Sequence, residues 1–196
     1  MGNVESEDRS LWAESLQGNG DAFGKLFDRY RERVFRHAYR LTADRHDAED
    51  VLAAAFLELW RKRHRVRIVD GSVLPWLLVT TTNAARNTAR STARYRKLLA
   101  SIERTPEPAE SSESAYLQKT ISGDAAKALG TLGKVDLQLV SLVILEGYSV
   151  VAAAGILKMT PGTAKVRMHR ARQRMKSAIT GPADAKSIPA FEGGKR

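Results

Sequence analysis

The chain has 196 residues, no cysteine, and 32 lysines and arginines against 22 acids, which gives a net charge of +10. Disulfide frameworks, thiolate zinc sites and iron–sulfur clusters are therefore excluded, and no stretch approaches the roughly 18 apolar residues of a membrane-spanning helix. The charge favours a polyanionic partner, and the scarcity of aromatic residues and alternating apolar patterns predicts an all-α, cytoplasmic protein without stable membrane insertion.

The first half of the sequence has the apolar periodicity of several helices. The triplet "NGD" at 19–21 predicts a break followed by a capped second helix. A third helix is expected to begin near Asp47, and a fourth follows a turn, with Ser72 as its cap. These helices predict a first domain over residues 10–99.

The composition changes at residue 100. Residues 100–120 contain the mostly acidic, Ser- and Pro-rich "SIERTPEPAESSESAY", which is typical of a flexible linker. We predict a second domain of short helices over residues 121–180. The first two of these helices form a pair with a bend between Gly130 and Asp136. The Gly- and Pro-rich tail, 181–196, is predicted to be disordered.

The end of the second domain has the pattern of a helix-turn-helix motif. Ser149 can cap "VVAAAGIL", and after "KMT" Thr160 can cap a last helix that has Pro161 at its first position. That helix, "TPGTAKVRMHRARQRMK", carries six basic residues and no acid, whereas a merely solvated helix usually mixes both signs. Its predicted DNA contacts are Thr160, Thr163, Lys165, Val166, Arg167, His169 and Arg170.

A second basic zone, "NAARNTARSTARYRK", lies on the fourth helix. Amide side chains among arginines on one helix face suit the reading of bases as well as backbone. Trp76 is either a platform for stacking unpaired bases or a core residue, and the sequence leaves both open. The predicted contacts to single-stranded DNA are Trp76, Asn83, Arg86, Asn87 and Arg90.

The acids of "DAEDVLAAAFLELW" allow two interpretations. Negative charge at a helix start is favoured by the helix dipole, which alone explains the cluster. Alternatively, the acids and the following apolar residues form a protein-binding face. Its members would be Asp47, Glu49, Asp50, Phe56, Leu57 and Trp60.

No pattern in the sequence indicates catalysis. The four histidines have no metal-binding spacing, and neither a Gly-rich phosphate loop nor a nucleophile motif is present. We expect no enzyme activity, no catalytic residues, no metal, no cofactor and no small-molecule substrate.

Together these segments resemble bacterial RNA polymerase sigma factors of the extracytoplasmic-function (ECF) class of the sigma-70 family. The similar stretches are "FGKLFDRYRERVFRHAYRLTADRHDAEDVLAAAFLELWRKR", "LPWLLVTTTNAARNTAR" and "ALGTLGKVDLQLVSLVILEGYSVVAAAGILKMTPGTAKVRMHRARQRMK". The resemblance implies two small helical domains, sigma domain 2 and the sigma domain 4 helix-turn-helix, joined by the flexible acidic linker.

The resemblance also implies roles. The Asp47–Trp60 set would dock on the clamp helices of core RNA polymerase, and the loop at 64–73 would capture a flipped base of promoter DNA. The fourth helix would line the melted strand, the last helix would read the upstream element, and the linker would pass through the RNA exit region. An anti-sigma factor is a further expected partner.

The chain departs from the family pattern at several positions. Ala53-Ala54 replaces a Gln-Glu pair, Val151-Ala152 replaces two glutamates, Leu137 follows Asp136 where the family usually has Arg, and Lys158 stands where a turn glycine is usual. The alternatives to a sigma factor are a stand-alone helix-turn-helix regulator and a basic adaptor that binds RNA or a membrane surface.

Overall fold

The computed structural model describes residues 2–102 and 123–180, which form an all-α fold as predicted. The predicted tail and nearly all of the predicted linker lie outside the described residues. The helices are α1 (Gly2–Leu16), α2 (Gly20–Thr42), α3 (Arg45–Lys62), α4 (Leu74–Ile102), α5 (Gly123–Gly130), α6 (Lys134–Val140), α7 (Val150–Ile156) and α8 (Pro161–Thr180). A 3-10 turn, Arg63–Arg65, follows α3, and a π-helical turn, Ser141–Leu145, continues α6.

The caps that the sequence predicted are formed. The Asn19 side chain accepts hydrogen bonds from two backbone N–H groups at the start of α2, at 3.0 and 3.1 Å. Ser149 Oγ accepts from the amide of Ala152 at 3.1 Å, and Thr160 Oγ1 accepts from that of Thr163 at 3.2 Å. These bonds satisfy donors that a helix start otherwise leaves unpaired, and they fix where α2, α7 and α8 begin.

One predicted helix start differs from the structure. Helix α3 begins at Arg45 rather than near Asp47, because the Asp44 carboxylate caps it by accepting from the amide of Asp47 at 2.8 Å. The predicted domain limits at residues 10 and 99 both fall inside helices, since α1 begins at Gly2 and α4 extends to Ile102. Helix formers fill the end of α4, and the first proline after it is Pro106.

Helices α1–α4, here called the N-terminal bundle, enclose an apolar core. Its fully buried members include Leu26, Leu59 and Leu77, one from each of the three long helices. Phe27 meets Phe56 edge-on at a ring-centroid distance of 4.7 Å, which adds a directional contact to apolar burial. Trp12 of α1 is buried against the same core.

Helices α5–α7 pack against α8, and these four are here called the C-terminal helices. Gly147 has a φ of 75° where the chain leaves the π-helical turn, a conformation that glycine adopts without strain. Lys158 has a φ of 54° between α7 and α8, at the position where the related family usually has glycine. A lysine in this left-handed conformation destabilises the turn.

Within residues 2–102 and 123–180, no helix combines the length and the apolar character needed to cross a bilayer.

Replacing Lys158 by glycine tests the strain in this turn. We expect Lys158→Gly to raise the free energy of unfolding by about 1 kcal/mol, because the left-handed backbone no longer carries a Cβ. The measurement is urea denaturation followed by circular dichroism. The matched control, Lys165→Gly inside α8, should lower that free energy by about 1 kcal/mol. A lower stability in both variants would show that the turn is not strained.

Candidate nucleic-acid and polymerase interfaces

Helix α8 exposes one polar face and buries the opposite one. Ala164, Met168 and Ala171 are buried against the C-terminal helices. The side chains between them are exposed, as the sequence predicted, and we call this surface the recognition face. Its members are Thr163, Lys165, Val166, Arg167, His169 and Arg170.

A buried carboxylate orients part of the recognition face. Arg167 Nη1 donates to Asp136 Oδ1 at 2.8 Å, and Arg174 Nη1 donates to Asp136 Oδ2 at 3.0 Å. The Asp136 side chain is only 11% exposed, whereas that of Arg167 is 43% exposed. Asp136 therefore holds the guanidinium of Arg167 in place while other N–H donors of the same group face outward.

The predicted strand-contacting residues of α4 share one face, and the C-terminal helices lie against much of it. Asn83 is half-buried, and its Oδ1 accepts a hydrogen bond from Gln138 Nε2 of α6 at 2.8 Å. Arg86 and Arg90 line a cavity of about 310 Å³, whose other wall includes Leu129. Asn87 is exposed. The face is basic and polar as expected, but in this arrangement it is not an open groove.

Trp76 lies between the core and a second cavity, so the core interpretation holds for part of its ring and base stacking stays a prediction. Its ring is half-buried and packs against the core of the protein. It also lines a second cavity of about 530 Å³, together with Arg65 and Arg67 of the preceding loop and with Ile156 and Lys158 of the C-terminal helices. The indole is thus held rigidly by the core while part of it faces a space bordered by cations.

The loop between α3 and α4 ends in a tight turn. Val69 and Ser72 exchange two backbone hydrogen bonds, at 3.1 and 3.0 Å. Asp70 and Gly71 between them have φ values of 50° and 76°. Two consecutive left-handed residues are the signature of a type I′ turn, for which Asp-Gly is a favoured pair. The loop before this turn exposes the side chains of Arg65, Arg67 and Ile68.

A chain of hydroxyl groups ties this turn to α1 and α2. Tyr30 donates to the buried carboxylate of Asp8, so Ser72 Oγ donates in turn to the Tyr30 oxygen, at 2.7 Å. Ser72 Oγ also accepts from the amide of Leu74 at 3.1 Å and thereby caps α4. The sequence suggested Ser72 as a cap but gave no sign of the contact with Tyr30. The loop is consequently anchored at its end next to α4.

An exposed apolar patch lies on α3 and the start of α2, and we call it the α3 patch. Leu57 is 58% exposed, and the half-buried Trp60 lies beside it. These two residues, with Gly20, Phe23 and Phe56, line a cavity of about 330 Å³. Phe56 is only 4% exposed, because its ring packs edge-on against Phe23 and Phe27. Phe56 therefore forms the floor of the patch and does not project from it. This leaves Leu57 and Trp60 as the predicted apolar contacts at the surface of α3.

The acids at the start of α3 are mostly at the surface. Glu49 and Asp50 are exposed, and Glu49 Oε1 accepts from Arg45 Nε at 3.0 Å within the same helix. The cap formed by Asp44 fits the helix-dipole explanation. The position of Glu49 and Asp50 about two to three turns before Leu57 and Trp60 is equally compatible with a protein-binding face.

A buried ion cluster joins the N-terminal bundle to the C-terminal helices. The side chain of Glu146 is 4% exposed, and its carboxylate accepts from Arg33 Nε at 3.0 Å and from His37 Nδ1 at 2.8 Å. Arg40 Nη1 donates to the Leu145 carbonyl at 2.7 Å. The three side chains that contact this segment all belong to α2, so the end of the π-helical turn is fixed against that helix.

The protonation of Glu146 follows from its surroundings. The ring of His37 lies between Glu146 and Thr82, with its Nε2 2.9 Å from Thr82 Oγ1. Burial alone would raise the pKa of Glu146, but the hydrogen bonds and charges of His37 and Arg33 lower it overall. Glu146 is therefore ionised at neutral pH.

The sequence analysis did not identify Glu146, His37, Arg33 or Gln138. One signal was available, since Glu146 is the sole acid between residues 137 and 183 and interrupts a long apolar stretch. A single acid among apolar residues needs a partner when it is buried. The sequence could not show that the partner lies 109 residues away.

Removing the Ser72 hydroxyl tests the anchoring of the turn. We expect Ser72→Ala to speed amide hydrogen exchange at Val69 and position 72 and to lower the free energy of unfolding by about 1 kcal/mol, because a cap and a hydrogen bond are lost. Ser72→Thr keeps a hydroxyl and should retain slow exchange. Equal exchange rates in the alanine and threonine variants would contradict the anchoring role.

The sequence of this chain is similar to those of known proteins. The family model for Sigma-70 region 2 matches residues 26–95, which span most of α2 to α4. The RNA polymerase sigma factor CarQ of Myxococcus xanthus is 30% identical over 162 residues, covering 83% of this chain and 91% of CarQ. The ECF RNA polymerase sigma factor SigE of Mycolicibacterium smegmatis is 28% identical, covering 90% of this chain and 70% of SigE.

Solved structures show a similar fold. CnrH, in its complex with the cytosolic domain of CnrY, has a TM-score of 0.57 at 22% identity, covering 89% of this chain and 97% of CnrH. The sigma factor RpoE of Bartonella quintana has a TM-score of 0.51 at 23% identity, covering 82% of this chain and 98% of RpoE. With the sequence match to CarQ at this coverage, the chain belongs to the ECF class of RNA polymerase sigma factors.

Proposed function

We propose that three separate surfaces of this sigma factor divide the work of promoter recognition. The chain belongs to a family of regulatory proteins that bind core RNA polymerase and direct transcription initiation. Here the α3 patch would bind the polymerase, the α4 face and the anchored loop would hold the melted strand, and the recognition face would read the upstream element. The observation that supports this division most strongly is the presence of two basic surfaces on different helical groups.

The recognition face suits a major groove. Helix α8 begins at Pro161, which has no N–H group, and Thr160 caps the amide of Thr163. The positive end of the helix dipole at this start favours a phosphate. Arg167 and Arg170 follow on the exposed side, and Arg167 is oriented by Asp136. An oriented guanidinium can form the paired hydrogen bonds by which arginine recognises guanine.

The α4 face and the loop before it suit unpaired DNA. Exposed Arg65 and Arg67 supply charge for phosphates, and the rigid indole of Trp76 offers a surface on which a base can stack. Stacking of this kind contributes about 1–3 kcal/mol per base, which offsets the cost of unstacking the duplex. Because the turn is anchored through Ser72, the loop is already ordered before a base arrives.

An anti-sigma factor is the partner expected to restrain this activity. The Bartonella quintana relative was solved with the anti-sigma factor NepR, and CnrH with the cytosolic domain of CnrY. By analogy with the Bartonella quintana relative, we propose that this chain also binds an anti-sigma factor. Surfaces for such a partner would overlap those used for polymerase and DNA.

The α3 patch can be tested without DNA. We expect Leu57→Ala to weaken binding to core RNA polymerase by about tenfold, because a central exposed apolar side chain contributes to affinity on the order of 1.4 kcal/mol. Fluorescence titration of the core enzyme measures this change. Ile179→Ala removes a similarly exposed side chain from the end of α8 and should bind like the wild type. Equal binding by both variants would place the polymerase contact elsewhere.

The promoter contacts can be tested by run-off transcription with sigma-free core polymerase on fragmented genomic DNA, with transcript 5′ ends sequenced. The wild-type chain should produce new starts that share two spaced upstream motifs. Arg167→Ala and Asn87→Ala should each reduce these transcripts by at least about tenfold, on the order of 1–3 kcal/mol per lost contact.

The controls for this experiment lie on the same helices. Lys176→Ala removes one positive charge from α8 beyond the proposed contacts, and Ser91→Ala removes an exposed polar group from α4. Both should transcribe normally. New DNA complexes without polymerase, and no new transcripts with it, would instead favour a stand-alone helix-turn-helix regulator.

A further inference from the structure

Helix α1 meets both ends of the loop between α3 and α4, residues 63–73, here called the capture loop. At the end next to α4, Asp8 of α1 is joined to Ser72 through the hydroxyl of Tyr30. At the end next to α3, α1 packs beside the 3-10 turn that opens the loop. The middle of the loop, around Arg67, stays exposed. The capture loop is therefore braced at its ends while its outer side remains open to a ligand.

The hydrogen bonds between Asp8 and the loop run in one direction. Asp8 is buried, with 2% of the residue exposed. A carboxylate only accepts hydrogen bonds, so Tyr30 donates to it and the Tyr30 oxygen accepts from Ser72 Oγ at 2.7 Å. Ser72 Oγ accepts in turn from the amide of Leu74 at 3.1 Å. The carboxylate thus sets the direction of both hydroxyl groups, and we call this series the Asp8 relay.

The charge of Asp8 is balanced in a way that allows it to be changed. Arg29 Nη1 donates to Asp8, and its Nη2 donates to Glu7 Oε2 at 2.7 Å. The Glu7 side chain is 62% exposed, whereas Asp8 also reaches Tyr30. Arg29 therefore keeps one acid when the other is neutralised. Glu7 and Asp8 can be replaced separately without leaving this cation unpaired.

We propose that Asp8 and Tyr30 are positioning residues for base capture, and that they act through Ser72 on the loop that receives the flipped promoter base. This rests on the proposed function of the capture loop. Asp8 and Tyr30 are 2% and 8% exposed, so neither contacts DNA itself. The complete relay holds the turn at Asp70 and Gly71 in one position, and little ordering of the loop remains to be done when the base arrives.

Amide hydrogen exchange tests the relay without any change in the loop sequence. We expect Asp8→Asn to speed exchange at Val69 and position 72, because the new side chain can also donate and no longer fixes the direction of the Tyr30 hydroxyl. Tyr30→Phe, which removes that hydroxyl, should have the same effect. The matched control is Glu7→Gln, which removes the same charge from α1 without touching Tyr30, and it should keep slow exchange.

Run-off transcription with core polymerase tests the consequence for base capture, on one promoter selected with the wild-type chain. On duplex template, Asp8→Asn and Tyr30→Phe should each reduce transcripts about tenfold, because apparent affinity falls with the fraction of loops in the competent position. On the same promoter with a mismatched, already open bubble, both should stay within about twofold of the wild type, since capture no longer has to offset unpairing. Glu7→Gln should match the wild type on both templates.

Three outcomes would overturn the positioning role. They are unchanged exchange in the folded variants, undiminished transcription from the duplex, and an equal loss on both templates, which would assign the residues to folding or polymerase binding instead. Circular dichroism and titration with core polymerase establish that each variant folds and docks. Should Asp8→Asn misfold, Tyr30→Phe decides alone, since it keeps the buried ring.

The proposed function is judged separately. A wild-type chain that supports no polymerase-dependent transcription would refute it, while the exchange experiment would still decide whether Asp8 controls the loop.

Discussion

The buried carboxylate of Glu146 sets the arrangement of the whole molecule. A charge that is 4% exposed needs compensating partners, and α2 supplies them from successive turns as Arg33, His37 and Arg40. Breaking one member of such a pair while the rest stays buried costs about 3–5 kcal/mol, whereas the complete pair adds little net stability. The cluster therefore specifies one arrangement of the two helical groups while adding little net stability.

Two acids of the C-terminal helices are paired with arginine. Asp136 pairs with Arg167 and Arg174 of α8, and Glu146 pairs with Arg33 of α2. Helix α8 itself contains no acid, so the formal charges on its exposed face are positive. A basic surface of this kind speeds encounter with DNA and makes binding sensitive to salt.

The local features of the fold could be predicted from sequence, and the long-range ones could not. Asn19, Ser149 and Thr160 cap helices because a short polar side chain before an apolar period is a signal contained within a few residues. The bond between Asn83 and Gln138 joins residues 55 positions apart, and no neighbouring residue encodes it. The exposure of Leu57 beside the burial of Phe56 likewise depends on where α2 packs. The sequence therefore predicted which residues share the face of α4, but not that the C-terminal helices lie against it.

The length of α4 has a consequence for how far the two helical groups can separate. The helix has 29 residues. Near its end, Tyr95 is 62% exposed and Leu98 is 57% exposed. A helix rises about 1.5 Å per residue and an extended chain about 3.3 Å, so unwinding about ten residues would add about 18 Å of reach. Unwinding of this kind would lengthen the connection between the N-terminal bundle and the C-terminal helices.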